Sequence, residues 1–285
     1  MSVQNQKPDH NLRKSFIGVL IFVSSAFLFG IGIWLILGPA KALEFFGGYL
    51  IEFSLSLDNI FVFLTIFIAN DISLKAQHKA LNYGIAGAIV LRFLFIFFGL
   101  QLISRFEWLL YVFGVILIIS GSLMFKEKKE KPGANRIMGV IQKRLRIAPD
   151  YKGEKLFIRQ DNILYATPLL AVIILIEFSD IIFAIDSVPA IFSITTDLLI
   201  VYSSNIFAIL GLRQLYFVIQ HLHERFAYVK YGVGLLLIFT GIKLGGGLFH
   251  LHIDNLISII IILAIIVSSI VVSIIVSGRK KRNIF

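Results

Sequence analysis

Five acidic residues stand inside apolar sequence. Glu52, Asp58 and the neighbouring Asn59 fall in the stretch Glu52-Phe-Ser-Leu-Ser-Leu-Asp58-Asn59. Glu177, Asp180 and Asp186 fall in Glu177-Phe-Ser-Asp180-Ile-Ile-Phe-Ala-Ile-Asp186. A carboxylate at bilayer depth costs roughly 2.5–3.5 kcal/mol on an insertion scale, so such residues are retained for a reason. The chemistry open to them is cation and proton binding. Hard oxygen donors suit Mg²⁺, Ca²⁺ and Mn²⁺. The chain has no cysteine, which removes thiolate metal sites and thiol redox transfer.

The helix period decides which of these residues share a face. Glu52 and Asn59, seven apart, share one, and so do Glu177 and Asp180, three apart. Glu52 and Asp58, six apart, do not on an ideal helix. Asp186 precedes Ser187-Val-Pro189, and a helix that unwound at Pro189 would let Asp186 turn back and free carbonyls as ligands. Three cations, Arg92, Arg213 and Lys243, lie in the same apolar sequence, so five acids leave a formal charge of −2. Arg92 and Arg213 read as clamps that orient carboxylates, with Asn59 and Asn205 as further support. Pairing of the acids with these cations for structure alone is the plainer reading, and the surplus of two negative charges speaks against it. Of the histidines, His78, His221, His223, His250 and His252 lie at span ends, away from the acids, and His10 lies in the N-terminal tail. His221 and His223 with Glu224, or His250 and His252 with Asp254, read as interfacial residues or surface metal-gathering sites.

The elements that must hold these residues are membrane helices. Hydrophobic residues make up 58% of the 285, against about half in a soluble domain, and only 15% are charged. The fold class is all-α, polytopic membrane protein. A transmembrane β-barrel would instead show alternating segments of about ten residues. Eight spans are predicted, at 16–38, 43–69, 79–103, 107–125, 163–192, 197–220, 227–249 and 253–277. The first imitates a signal peptide, but its 22-residue apolar run exceeds an h-region of about 7–15. A net charge of +10 would raise nucleic-acid binding in a soluble chain. Here 22 of the 27 Lys and Arg fall on one side of the predicted spans, so the charge reports topology, with both termini cytoplasmic.

The spans also repeat. Arg105-Phe-Glu-Trp-Leu-Leu-Tyr111 matches Arg225-Phe-Ala-Tyr-Val-Lys-Tyr231, and Gly114 and Gly121 match Gly234 and Gly241, all 120 residues on. Arg92 matches Arg213 at 121 and Asp58 matches Asp180 at 122. Three spans per copy is odd, so the second copy enters from the opposite side. Two inverted three-helix repeats with an ion site at the midplane are a transporter architecture. It places Asp58 and Asp180 face to face. The chain divides into a tail and first span (1–42), a first repeat (43–125), a basic cytoplasmic segment (126–162), a second repeat (163–249) and a last span with a basic tail (250–285). Residues 134–147 alternate apolar and basic positions. They read as an interfacial amphipathic helix or as a solvated positive-inside linker.

Glu52-x5-Asp58-Asn59, Tyr165-Ala-Thr-Pro168, the Glu177 to Phe192 stretch and Ser204-Asn-Ile-Phe-Ala-Ile-Leu-Gly-Leu-Arg213 resemble the TerC/Alx family of bacterial integral membrane proteins. The resemblance runs from about Gly48 to Lys243. Alx-type members carry one further N-terminal span, which this chain is expected to lack, and that leaves the site residues untouched. The resemblance implies a manganese exporter of the inner membrane, in a LysE-like transporter group, whose intramembrane acids bind the metal: here Glu52, Asp58, Glu177, Asp180 and Asp186. Some relatives are implicated in loading manganese into secreted enzymes, which implies secretion machinery or secreted metalloenzymes as partners beside Mn²⁺ and the lipid bilayer. The family name refers to tellurium resistance, but an oxyanion would meet net negative charge here. The expectation is a divalent-cation exporter with proton antiport, no cofactor and no enzymatic activity. A membrane scaffold that hands metal to partners, docking through 126–162, is the alternative. A third reading, an anion or amino-acid exporter built on Arg92 and Arg213, requires that Asp58→Asn be tolerated.

Overall fold

The computed structural model describes residues 8–125, 147–148, 153–160, 163–222, 228–249 and 253–282. Eight helices carry them: α1 Pro8–Leu37, α2 Pro39–Ala69, α3 Leu74–Arg105, α4 Leu109–Leu123, α5 Pro168–Phe192, α6 Leu198–Leu222, α7 Val229–Gly246 and α8 Asn255–Arg282. Seven are long and apolar enough to cross a membrane. The fourth predicted span, 107–125, shrinks to the 15 residues of α4. At 1.5 Å per residue that is about 22 Å, short of the ~30 Å hydrocarbon core. A turn at Phe106, Glu107 and Trp108 takes up the missing start, with Leu109 N–H donating to Phe106 O at 2.9 Å.

The surface confirms what the apolar patterning implies about the surroundings. Ile257, Ile260, Val267 and Val271 of α8 and Leu20, Leu28 and Leu35 of α1 are exposed. Contiguous apolar surface on this scale is stable in lipid and not in water. α2 is the inner helix. It packs on α1, α5, α6, α7 and α8 and buries seventeen residues, Glu52 and Asn59 among them. α3 packs on α5 and α6, and α4 packs most extensively on α7.

Two glycine pairs explain that last contact. A Cβ on Gly114 would come within 2.9 Å of the Gly241 carbonyl oxygen, and one on Gly241 within 2.6 Å of the Gly114 carbonyl oxygen. Gly121 and Gly234 face each other in the same reciprocal way. Only glycine lets two helix backbones approach so closely.

The predicted fifth span, 163–192, begins differently. Ile163–Ala166 is a strand (β2), paired antiparallel with Phe157–Gln160 (β1), with Phe157 opposite Ala166. The helix starts only at Pro168, capped by Thr167. The Thr167 hydroxyl accepts from Leu170 N–H at 3.3 Å and donates to Lys155 O at 2.7 Å. Proline at the first helical position loses no hydrogen bond and presets φ. Nor does the helix unwind at Pro189: α5 runs on to Phe192. Proline frees one carbonyl four residues back, and so close to the helix end little remains to be broken. Of the segment 126–162, residues 134–146 of the predicted amphipathic helix lie outside the described residues, as do His223, His250 and His252.

Side-chain bonds tie the loops at each end. At one end Lys41 Nζ lies 2.9 Å from both Glu44 Oε2 and Asp197 Oδ2, and Thr195 Oγ1 donates to Glu44 Oε2 at 2.6 Å. Burial pushes the Asp197 carboxyl up, but hydrogen bonds from Lys41 and from the Ile200 and Leu199 N–H groups outweigh it and hold its pKa below the ordinary range. Lys243 also belongs to this end. Its Nζ donates to Asn255 Oδ1 at 2.9 Å, away from the buried acids it was counted against. At the other end Lys79 Nζ donates to Glu154 O, and Tyr216 OH to Gln77 Oε1.

Candidate functional site

Glu52, near the middle of α2, is fully buried, as are Asn205 of α6 and Arg92 of α3. An acid and a guanidinium at such depth persist only if each neutralises the other. They do. Arg92 Nη1 lies 2.9 Å from Glu52 Oε1, and its Nε and Nη2 donate to the two oxygens of Asp180 at 3.2 and 3.3 Å. Nη1 also donates to Ser187 Oγ at 2.6 Å. The Glu52 contact is close in charge but poorly aligned, since Oε1 finds no hydrogen-bond donor among the described residues. Its other oxygen accepts from Asn205 Nδ2 at 3.0 Å. One guanidinium thus joins α3 to α2 and α5, and Asn205 adds α6.

The backbone reasons for this convergence are local. The Thr167 cap fixes where α5 begins, and so the rotational phase of Glu177, Asp180 and Asp186 along it. Asp180 and Ser187 are seven apart and share the face that Arg92 meets. Gly87 of α3 stands where the Glu177 carboxylate packs, and any Cβ there would overlap it. Gly48 of α2 leaves similar room for Ser204.

The remaining acids lie above and below this level. Asp186, two turns beyond Asp180 towards the Lys41 end, accepts from Ser120 Oγ of α4 at 2.9 Å. Glu177 is half-buried one turn the other way, and its Oε2 is buried with no hydrogen-bond donor among the described residues. Asp58 is half-buried on α2, displaced from Glu52 towards the same end as Glu177. The acids therefore form a file along the helices with Arg92 in the middle. Among the described residues, no three His, Asp or Glu side chains are gathered closely enough to hold a metal ion. Arg92 already occupies the facing oxygens of Glu52 and Asp180.

The geometry bears on several expectations. Arg92 contacts two carboxylates, those of Glu52 and Asp180. Arg213 has other partners: Nη1 donates to Asn82 Oδ1 at 2.7 Å and Nη2 lies 3.4 Å from His78 Nδ1. Glu52 is the acid that shares Arg92 with Asp180, the place the repeat gave to Asp58. Asn59 is buried two turns further along α2, and Asn205 bonds Glu52 directly. Sequence reasoning missed Ser187, Ser120 and Gly87. Ser187 stood inside the quoted motif, and its seven-residue spacing from Asp180 was the available signal. Ser120 and Gly87 had none.

The family model for the integral membrane protein TerC family matches residues 37–283. The chain belongs to the TerC family. The match begins at the last residue of α1, so α2 to α8 carry the TerC similarity. An uncharacterized membrane protein of Myxococcus xanthus, STKORF319, is 45% identical over 226 residues, 79% of this chain and 71% of that protein. Alx of Salmonella typhi, provisionally named a membrane-bound redox modulator, is 44% identical over 235 residues, 79% of this chain and 73% of its own. An uncharacterized membrane protein of Rickettsia bellii is 44% identical over 236 residues, 82% of this chain and 78% of its own. No solved structure matches the chain.

Proposed function

We propose that this TerC-family protein exports a divalent cation, Mn²⁺ foremost, from the cytoplasm across the bacterial inner membrane, with both termini cytoplasmic and protons as counter-ion. The observation that carries the reading is that buried Glu52 and Asp180, one from α2 and one from α5, converge on the same guanidinium. Those are the first helices of the two proposed inverted repeats. Glu177, Asp186 and Asp58 extend the acids in both directions, as a path for a cation requires. An all-oxygen donor set suits Mn²⁺. Protons compete for the same oxygens, which is the physical basis of antiport. No cofactor and no bond-making chemistry is assigned.

The repeat reading draws support from the packing. Exchanging α2, α3 and α4 with α5, α6 and α7 carries the pair α2–α6 into α5–α3 and the pair α4–α5 into α7–α2, and all four pairs are in contact. The same exchange carries the contact Gly114–Gly241 into Gly234–Gly121. Two such halves rocking about the midplane would open the site to each side in turn.

The redox role in the names of the Alx relatives comes to this chain only indirectly. Without cysteine it exchanges no thiols, so a redox effect would pass through the supply of manganese.

Transport by the purified protein in sealed liposomes tests the proposal. Mn²⁺ flux driven by a proton gradient is expected, and Asp180→Asn should cut it on the order of 100-fold. A protein that moves no Mn²⁺, while cells lacking it still misload secreted manganese enzymes, would instead be the delivery scaffold.

A further inference from the structure

The guanidinium of Arg92 holds the oxygens that the proposed cation needs. Nε and Nη2 take both oxygens of Asp180, and Nη1 stands against Glu52 Oε1. A cation bound between Glu52 and Asp180 would overlap Arg92 in space and in charge. A guanidinium and a divalent ion cannot both be accommodated there, because like charges a few Å apart in a low-dielectric site repel strongly.

We infer that Arg92 is a tethered competitor of the transported cation: it neutralises Glu52 and Asp180 when no metal is bound, and each metal ion binds by displacing it. The inference rests on the transport reading and adds to it a step and a residue. It differs from a clamp that orients the acids for the metal, since a clamp would strengthen metal binding and a competitor weakens it.

Two features of the site make the exchange feasible. The Glu52 contact is short but poorly aligned, so its electrostatic part is easily traded for a better ligand geometry. Asn205 holds the far oxygen of Glu52, so the carboxylate keeps its place when the guanidinium leaves. Ser187 on α5 holds Nη1 in the metal-free arrangement, and that bond is given up when the guanidinium leaves.

The competitor also gives a carrier a way home. An unneutralised pair of acids at this depth would hold its metal or resist reorientation without it. With Arg92 returning to both acids, the two halves can move back with the trio at a formal charge of −1 and no metal. Net transport, as opposed to one-for-one exchange of metal, then depends on Arg92.

Ser187→Ala and Arg92→Gln test this in the full-length purified protein, with Mn²⁺ itself as the probe. Ser187→Ala removes one anchor of the competitor and leaves every charge in place. It should tighten equilibrium Mn²⁺ binding by about fivefold. Arg92→Gln should tighten binding by about tenfold or more, lose net Mn²⁺ efflux from liposomes and retain Mn²⁺–Mn²⁺ exchange. If Arg92→Gln does not fold, Ser187→Ala decides alone. Weaker binding in Ser187→Ala, or loss of binding, efflux and exchange together in a folded Arg92→Gln protein, overturns the inference and leaves the transport reading standing. A wild-type protein that neither binds nor moves Mn²⁺ overturns both.

Discussion

Arg92 and Arg213 hold matching places in the proposed repeat and live in different surroundings. Arg92 is wholly buried and answers two carboxylates and a serine. Arg213 is half-buried and its bonds go to Asn82 and towards His78, near the end of the bundle where Gln77 meets Tyr216. The same residue type thus serves once as a charge at the centre of the site and once as a polar tie between α6 and α3. A duplicated pattern fixes the position of a charge along a helix. Its role is fixed by how deep that position lies and by which acids reach it.

Four experiments would break or sharpen this contrast. The largest effect is expected for Arg92→Leu. It strands two buried acids and should cost about 3–5 kcal/mol, read as a large drop in melting temperature in detergent. Arg213→Leu should cost only about 1 kcal/mol. Equal drops would show that depth does not separate the two arginines. Next comes Asp180→Asn, which keeps the shape and removes one charge. Mn²⁺ flux in liposomes should fall on the order of 100-fold, about 2.7 kcal/mol in the affected step. The same change at Asp58, the proposed repeat partner, should cost less if the centre belongs to Glu52 and Asp180. A larger loss at Asp58 would return the symmetric pair to the centre.

Gly87→Ala is third. The added methyl displaces the Glu177 carboxylate without touching the charge on Arg92, and flux should fall about tenfold with a stability change near 1 kcal/mol. Unchanged flux would take Glu177 out of the cation's path. The smallest effect is a pH effect at Lys41 and Asp197. The Asp197 pKa is lowered in the folded protein, so its contribution is present above the unfolded value of about 3.9 and is lost as pH falls through the lower folded value. Because the pair is about one-third exposed, the contribution stays below about 1 kcal/mol. Removal of that pH dependence by Asp197→Asn checks it, and a dependence that survives would assign it to another group.

The helices were legible because membrane burial writes long apolar runs, and the buried acids stood out against them. Where the sequence misled, hydropathy was blind to backbone state. Ile163-Leu-Tyr-Ala166 is as apolar as the helix that follows, so a strand joined to α5 reads as one long span. Thr167-Pro168, a cap and a first-turn proline, marked the true start. Pro189 suggested a break, yet it lies too near the end of α5 to make one. The grouping of Glu52 with Asp180 through Arg92 lay beyond helix periodicity, because period orders residues within one helix. Which helix faces which is set by packing, and there Gly87 and Gly48 decide.

The glycine seam between α4 and α7 carries a mechanical consequence. Its two points of backbone contact lie seven residues apart, about 10 Å along each helix. Two fixed points define an axle: the helices can turn about that line but cannot slide past one another, because each glycine's neighbour is the other's carbonyl oxygen. One member belongs to each proposed repeat. If the two halves rock as proposed, this seam is the natural pivot, and α2 and α5, with their acids, are the parts that swing.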